Sequence, residues 1–171
     1  VIPARSGSQR VKNKNIRLLN NHPLIAYSIA SAKKTKIFNR IIVSTDSKII
    51  KDIALYYGAE VPFLRPKKIS TSKSIDYSWI IHALNKTKEI YNEEYDYFAI
   101  LRPTSPHRSD ISIIKAVNTL VKKKNYDSIR AVSKCREHPG KMWTISNHKS
   151  LKEFLNQSHL KIKYHEMQYQ S

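Results

Sequence analysis

The chain holds a single cysteine, Cys135, among 171 residues. One thiol cannot close an internal disulfide, which fits a reducing, cytoplasmic setting, and Cys135 reads as an ordinary, partly buried thiol. No apolar run approaches membrane-spanning length, so no membrane association is expected. No signal peptide is visible, although Val1 falls inside what reads as a strand, so a lost leader stays open. Neither a Walker loop nor a G-x-G-x-x-G fingerprint occurs, and the usual nucleotide patterns do not decide the function. The seven histidines lack metal-ligand spacing, and His107 is expected in solvent. Repeats and low-complexity stretches are absent.

Acidic residues are also scarce. Thirteen Asp and Glu face 31 Lys and Arg, a formal charge of +18. By itself that excess suggests nucleic acid. However, the cations are dispersed, and Lys33-Lys34, Lys67-Lys68 and Lys122-Lys123-Lys124 fall at expected helix ends or loops, where lysine is commonly solvated. No RNP motif, zinc-finger spacing or helix-turn-helix pattern accompanies them. The excess reads as solvated surface that also draws in anionic substrates, with no dedicated nucleic-acid partner.

Val1 and Ile2 read as the end of a buried strand. The chain then leaves at Pro3 into the small turn Ser6-Gly7-Ser8, with Arg5, Arg10, Lys12, Lys14 and Arg17 through and beyond it. Backbone N–H groups, hydroxyls and fixed positive charge suit such a loop to polyphosphate. Spacing alone leaves a solvated basic turn equally open.

Farther on, strands and helices alternate. Asn20-Asn21-His22-Pro23 signals a helix start, and Leu24, Ile25, Ile29 and Ala32 recur at helical spacing. A strand is expected over 40–44. Thr45, Asp46 or Ser47 can cap the next helix, striped by Ile49, Ile50, Ile53, Ala54 and Tyr57 and stopped at Gly58. Further strands are expected over 60–64, 97–101 and 127–132. A helix over about 76–91 turns Trp79, Ile80, Ala83 and Leu84 inward. Another, capped by Ser109 or Asp110, carries Ile113, Ile114, Val117, Leu120 and Val121. This alternation predicts right-handed crossovers and a mainly parallel sheet with helices on both faces. Ligands of such sheets bind beyond the carboxyl strand ends, here the Arg5 loop, Ser44-Thr45-Asp46 and the segment from Arg102.

Four ordered blocks point more narrowly. They are Ile2-Pro-Ala-Arg-Ser-Gly-Ser8 with Lys14-Asn15-Ile16-Arg17, Ile42-Val-Ser-Thr-Asp-Ser47, Tyr57-Gly-Ala-Glu-Val-Pro-Phe-Leu-Arg-Pro66 and Leu101-Arg-Pro-Thr-Ser-Pro-His-Arg108. Together the chain resembles the acylneuraminate cytidylyltransferases, the CMP-sialic acid synthetases and their relatives acting on legionaminic, pseudaminic and similar nonulosonic acids. The resemblance implies a three-layer α/β fold with the Rossmann-like, mainly parallel sheet of nucleotide-diphospho-sugar transferases. It implies cytidylyl transfer from CTP to the anomeric hydroxyl of such an acid, with release of pyrophosphate, in lipopolysaccharide or capsule biosynthesis. A 3-deoxy-octulosonate cytidylyltransferase is the nearest alternative, and an inactive basic binding module the alternative from another class.

On that resemblance Arg5 and Lys14 are the expected catalytic cations, offsetting charge on the leaving pyrophosphate. Ala4, Ser6, Gly7, Ser8, Arg10, Asn15 and Arg65 complete the expected nucleotide side. The reading of Arg65 as a plain surface arginine stays open. Asp76, Arg102, Thr104, Ser105 and Gln168 form the expected acid-sugar side. Some members carry Gln where this chain has Arg102, which would suit a carboxylate bidentately. Helix capping is an equal alternative for Asp76, and capping is the preferred role of Asp46.

The resemblance also implies a homodimer. Residues 1–133 would form the nucleotide-binding core and 134–171 a projecting dimerisation segment, in which Trp143 packs across the interface or onto its own subunit. Two departures matter. Members often place Lys directly after Ser-Gly-Ser, where this chain has Gln9 and then Arg10. The family's later Asp-x-Asp element, which binds Mg²⁺, has no counterpart here, so the metal has no expected ligand within the chain. The sequence thus reads as clipped at both ends, and this segment alone is expected to be weakly active or inactive.

Overall fold

The computed structural model describes residues 1–8, 11–123 and 125–132, together with the backbone of two short strands at 143–145 and 151–153. The chain divides into two compact units, Val1–Asp127 and Ser128–Ser171.

The first unit is built on parallel pairing. β1 (Ile2–Pro3) pairs with β4 (Val43–Ser44) in the register Ile2↔Val43 and Pro3↔Ser44. On the far side of β4, Val43 N–H donates to the Glu60 carbonyl at 2.9 Å and Glu60 N–H to Ile41 at 2.8 Å, a parallel bridge centred on Ile42 and Glu60. On the other side of β1, the Val1 nitrogen donates to the Ala99 carbonyl at 2.7 Å and Leu101 N–H donates back to Val1 at 3.1 Å. That exchange is the parallel pattern, one residue bonded to two that flank its partner. The spatial order is therefore 99–101, β1, β4, Glu60. The chain winds outward from β1 through β4 to Glu60 and then crosses back to β1's free side. This reversal is a topological switch point, where open α/β sheets form a crevice.

The expected strands are present but shorter. The 40–44 strand reduces to β4 with a bridge at Ile42, and 60–64 to Glu60 alone, because Pro62 has no N–H to continue a ladder. The 97–101 segment bonds to Val1 without forming a longer strand, and Tyr97 and Phe98 stay 48% exposed. The 127–132 strand does not form. Ile129 and Val132 are 44% and 86% exposed, and this stretch has no ladder partner among the described residues.

One element was not expected. β2 (Leu18–Leu19) and β3 (His22–Pro23) form an antiparallel hairpin, with Asn20 and Asn21 both at positive φ, 46° and 65°. Two left-handed residues make the tight turn that suits strand twist, and Asn tolerates that conformation. The signal read as a helix start thus serves the hairpin first, and α1 (Leu24–Thr35) begins at once after Pro23.

The helices follow their apolar stripes. α1 buries Ile25, Ile29 and Ala32. α2 (Lys48–Tyr56) buries Ile50 and Ala54, with Ile53 and Tyr57 packed at the edge; Ile49 is instead 63% exposed, on the side of the helix away from the core. Ser47 is its cap, its hydroxyl accepting from Ile50 N–H at 3.4 Å, and Gly58 follows at φ 82°. α3 (Asp76–Tyr91) buries Trp79 and Ala83. α4 (Asp110–Lys122) buries Ile113, while Val121, in its last turn, is 50% exposed. Lys33, Lys34 and Lys122 lie in last helical turns, where cations complement the helix dipole.

The core joins Ile2, Ile25, Ile29, Val43, Ile50, Leu101 and Ile113 across sheet and helices. Each such side chain contributes about 1.5–3 kcal/mol on burial. Opposite the crevice, Arg40 ties the sheet's other end together: it donates to Glu60 at 2.8 Å and to both carboxylate oxygens of Glu93, and lies 3.6 Å over the Tyr91 ring.

In the second unit β5 (Trp143–Ile145) pairs antiparallel with β6 (Leu151–Glu153), Trp143 opposite Glu153. The readings made for Cys135 and for the Trp143 side chain lie outside the described residues. No described helix is long and apolar enough to cross a membrane.

Candidate functional site

The loop after β1 is fixed by three ties. Ala4 N–H donates to the Ser44 carbonyl at 3.0 Å, extending the sheet by one bond. Asp46, beyond β4, then accepts both from Ser6: the amide at 2.8 Å and the hydroxyl at 2.7 Å. Asp46 is thus a tether for the loop, and capping of α2 falls to Ser47. Finally Asn15, 6% exposed in a short 3₁₀ turn, donates its amide to the Arg5 carbonyl at 3.0 Å. Asn13 enters that turn at φ 55°.

A cavity of about 220 Å³ opens at the switch point. From the β1 side come Arg5, Ser8, Lys14 and Asn15; from the third block, Arg65; from the start of α3, Asp76; from the fourth block, Arg102 and Thr104. Eight residues expected at the site from sequence therefore meet in one place, drawn from segments up to about a hundred positions apart. Ala4, Ser6, Gly7 and Ser105 do not line it. Ala4 is fully buried with its amide in the sheet, and both Ser6 donors are held by Asp46. Gly7 is exposed, and a Cβ there would meet only Arg5 at 3.9 Å, so the backbone does not demand glycine. Arg10 and Gln168 lie outside the described residues. His107 is exposed, as expected.

Arg65 is not a surface arginine. It is 4% exposed, and its guanidinium donates to the Ser44 hydroxyl at 3.0 Å and the Ser44 carbonyl at 2.6 Å. Its backbone N–H donates to the Thr45 carbonyl at 2.7 Å, which carries the chain past the end of β4. Burial pushes its pKa down to about 10; Asp46 and Asp76 oppose the fall and Arg5 adds to it. It remains a cation at neutral pH, held over the Trp79 ring at 5.2 Å.

Asp76 caps nothing. One of its oxygens accepts from the Trp79 indole N–H at 3.0 Å and the other from Arg102. Partial burial pushes this carboxyl up, but the indole and the guanidinium outweigh it and hold it below the usual range. The Arg102 carbonyl is held in turn by Arg108 at 3.0 Å and the Ser28 hydroxyl at 3.3 Å.

Sequence reasoning missed Trp79, Ile69 and the Thr71-Ser72-Ser74 run as lining residues. Trp79 read as core, which it also is. The Thr71-Ser72-Ser74 run carried one available signal, its density of hydroxyls. Thr71 and Ser74 close a small turn, Thr71 N–H donating to the Ser74 hydroxyl at 3.0 Å.

The cavity is thus cationic, hydroxyl-lined and walled on one side by an indole, which suits an anionic ligand with a planar part. Among the described residues no three His, Cys, Asp or Glu side chains gather to hold a metal. The nearby acids, Asp46 and Asp76, already accept from protein donors, so these residues do not make a Mg²⁺ site by themselves.

Comparison with known proteins agrees with this picture. An N-acylneuraminate cytidylyltransferase of Escherichia coli O18:K1:H7 is 40% identical over 134 residues, 78% of this chain and 30% of that protein. A CMP-N,N'-diacetyllegionaminic acid synthase of Legionella pneumophila is 44% identical over 117 residues, 68% of this chain and 50% of that one. The chain spans only 30–56% of the length of these and a third relative, a post-translational flagellin modification protein B of Campylobacter coli. Among solved structures, a CMP:2-keto-3-deoxy-manno-octonic acid synthetase complexed with CTP superposes with a TM-score of 0.60 at 15% identity, covering 72% of this chain and 47% of the other. That likeness bears out the Rossmann-like α/β fold. A family model for cytidylyltransferases matches residues 1–170. With that match, and relatives at 40% identity or more over two thirds of its length, the chain belongs to the cytidylyltransferase family.

Proposed function

We propose that the protein transfers the cytidylyl group of CTP to the anomeric hydroxyl of a nonulosonic acid (sialic, legionaminic or related) and releases pyrophosphate. The observation that carries this reading is the meeting of Arg5, Lys14 and Arg65 with Arg102 and Thr104 around one cavity, in a chain of the cytidylyltransferase family. Relatives named for N-acylneuraminate, diacetyllegionaminate and pseudaminate at 37–44% identity support the acid class. For the octulosonate alternative the support is a likeness of fold at 15% identity.

In this reading Arg5 and Lys14 bind the triphosphate and offset charge building on the leaving pyrophosphate. Asn15 holds the Arg5 backbone and Ser8 adds a hydroxyl, while Arg65 supplies a fixed cation from below. Ala4, Ser6 and Gly7 shape the loop around them, and Arg10 adds charge to it. On the acid side Arg102 pairs with the carboxylate, Thr104, Ser105 and Gln168 serve the rest of the sugar, and Asp76 lines that side through its bond to Arg102. Mg²⁺ is the proposed cofactor, with its ligands outside the described residues; when bound it neutralises phosphate charge. We place the protein in the cytoplasm as a homodimer with residues 134–171 supplying a contact, and its product in lipopolysaccharide or capsule biosynthesis.

A thermal-shift panel tests the reading. CTP is expected to raise the melting temperature well above ATP, GTP or UTP. Preferential stabilisation by an oligonucleotide, lost at moderate salt, would replace it with a nucleic-acid module.

A further inference from the structure

Asp76 and Arg102 come from two walls of the cavity, 26 positions apart in sequence, and their side chains are about half exposed. The two sides of the pair are held very differently. Asp76 is fixed from beneath, because the indole that donates to it belongs to Trp79, which is 4% exposed and lies under the Arg65 guanidinium. Turning that indole away would take a buried aromatic out of the core. Apart from Asp76, the bonds to Arg102 among the described residues fall on its carbonyl, which accepts from Arg108, Ser28 and the Ser105 N–H. Among the described residues its guanidinium has one acidic partner, Asp76.

The cavity's size gives this pair a consequence. At about 220 Å³ it is smaller than the roughly 300–1,000 Å³ typical of small-molecule sites. A nucleotide and a nine-carbon acid extend beyond that volume, and Asp76 and Arg102, both on its wall, meet any ligand that lies along that side.

We propose that Asp76 is an internal carboxylate that occupies Arg102 in the empty site and is exchanged for the carboxylate of the incoming sugar acid. This rests on the reading of Arg102 as the acid's partner. The exchange replaces one charge-assisted pair with another on the same planar fork, so little interaction is lost when the partner is a carboxylate. Asp76 keeps its indole donor when Arg102 leaves. A neutral sugar offers no anion to exchange and leaves the bridge closed. Asp76 is thus a specificity-determining residue that lowers affinity for every ligand but raises discrimination for a carboxylate. Trp79 is the positioning residue behind it.

The test uses the whole 171-residue chain with CTP present. Calorimetry would follow N-acetylneuraminate, N,N'-diacetyllegionaminate, pseudaminate and the methyl ester of N-acetylneuraminate. In parallel, the Trp79 indole ¹⁵N–¹H resonance, assigned through Trp143→Phe, reports whether Asp76 still holds Arg102. Asp76→Asn is expected to tighten the bound acid about two- to fivefold, the range an exposed ion pair commands. In the unsubstituted chain the acid is expected to move the Trp79 resonance and the ester to leave it in place. Weaker or unchanged acid binding in Asp76→Asn, or a Trp79 resonance blind to the acid, overturns the exchange. Arg102→Gln separates the two levels: retained acid affinity there sinks the acid-side reading itself, while a loss there without a gain in Asp76→Asn sinks the exchange alone.

Discussion

Arg65 stands under the cavity and at the end of β4, so replacing it by methionine tests the architecture directly. Methionine keeps most of the length and apolar stem and removes the guanidinium. Two hydrogen bonds to Ser44 disappear, at 3.0 and 2.6 Å, and Ser44 is fully buried, so its hydroxyl loses this donor without access to water while its carbonyl keeps only the Ala4 N–H among the described residues. Bonds to charged groups contribute about 1.5–3 kcal/mol each, and they are not additive when one group makes both. The relief of desolvating a cation works the other way. A net loss of about 3 kcal/mol follows, which for a domain of this size lowers the melting temperature by about 6–12 °C. Arg65→Lys should fall between, since an ammonium restores charge without the planar fork. Melting followed by circular dichroism without ligand is the assay. A drop below about 2 °C for Arg65→Met would refute the reasoning that this cation is part of the fold.

Other outcomes can be stated more briefly. Asn15→Ala frees the Arg5 carbonyl and should reduce CTP-induced stabilisation severalfold more than it lowers the melting temperature of the free chain; equal effects would mean that Asn15 serves the fold alone. Ser47→Ala removes the cap of α2 and should cost about 0.5–1 kcal/mol in urea unfolding, at the low end because the bond is long. Gly58→Ala places a side chain at φ 82° and should cost about 1–2 kcal/mol in the same assay. Glu93 is pushed down from 4.5 to about 2 by its hydrogen bonds from Arg40 and Tyr95. Its folded pKa is depressed, so its contribution is complete above pH 4.5 and is lost as pH falls toward 2. Glu93→Gln should therefore melt lower than the parent at pH 6, and the two curves should converge by pH 2.

The helices were legible because a buried stripe repeats with the helix, and Gly58 because only a left-handed residue suits that stop. The place of the cavity was legible too, since open parallel sheets form their crevice at carboxyl strand ends, and residues of three of the four blocks line it. What could not be read was which polar group meets which across long separations. Nothing near Asp46 announces Ser6, forty positions earlier, and a cap was the local reading of the same carboxylate. Arg65 looked like any charged residue before a proline until Ser44 and Trp79 enclosed it. The stripe logic overran at Ile49 and Val121, because periodicity says which residues share a face but not how far the facing partner extends. At 127–132 an apolar pattern suggested a strand, but a strand exists only beside another. The Asn20-Asn21 turn was readable in principle and was hidden by Pro23, which suits a helix start equally well.

The bonds between Val1 and Ala99–Leu101 bear on how the molecule is made. A ribosome delivers β1, its loop, α1 and β4 first, and these can associate as they emerge. The second wall of the cavity arrives only when Arg102 and Thr104 have cleared the exit tunnel. Closing a loop of about a hundred residues carries an entropic penalty that grows slowly with length, so this late docking is slow more than it is unfavourable. During synthesis there is accordingly an interval in which the cationic loop exists and its binding site does not. No ligand of the finished cavity can act as a folding template until the chain has passed that point.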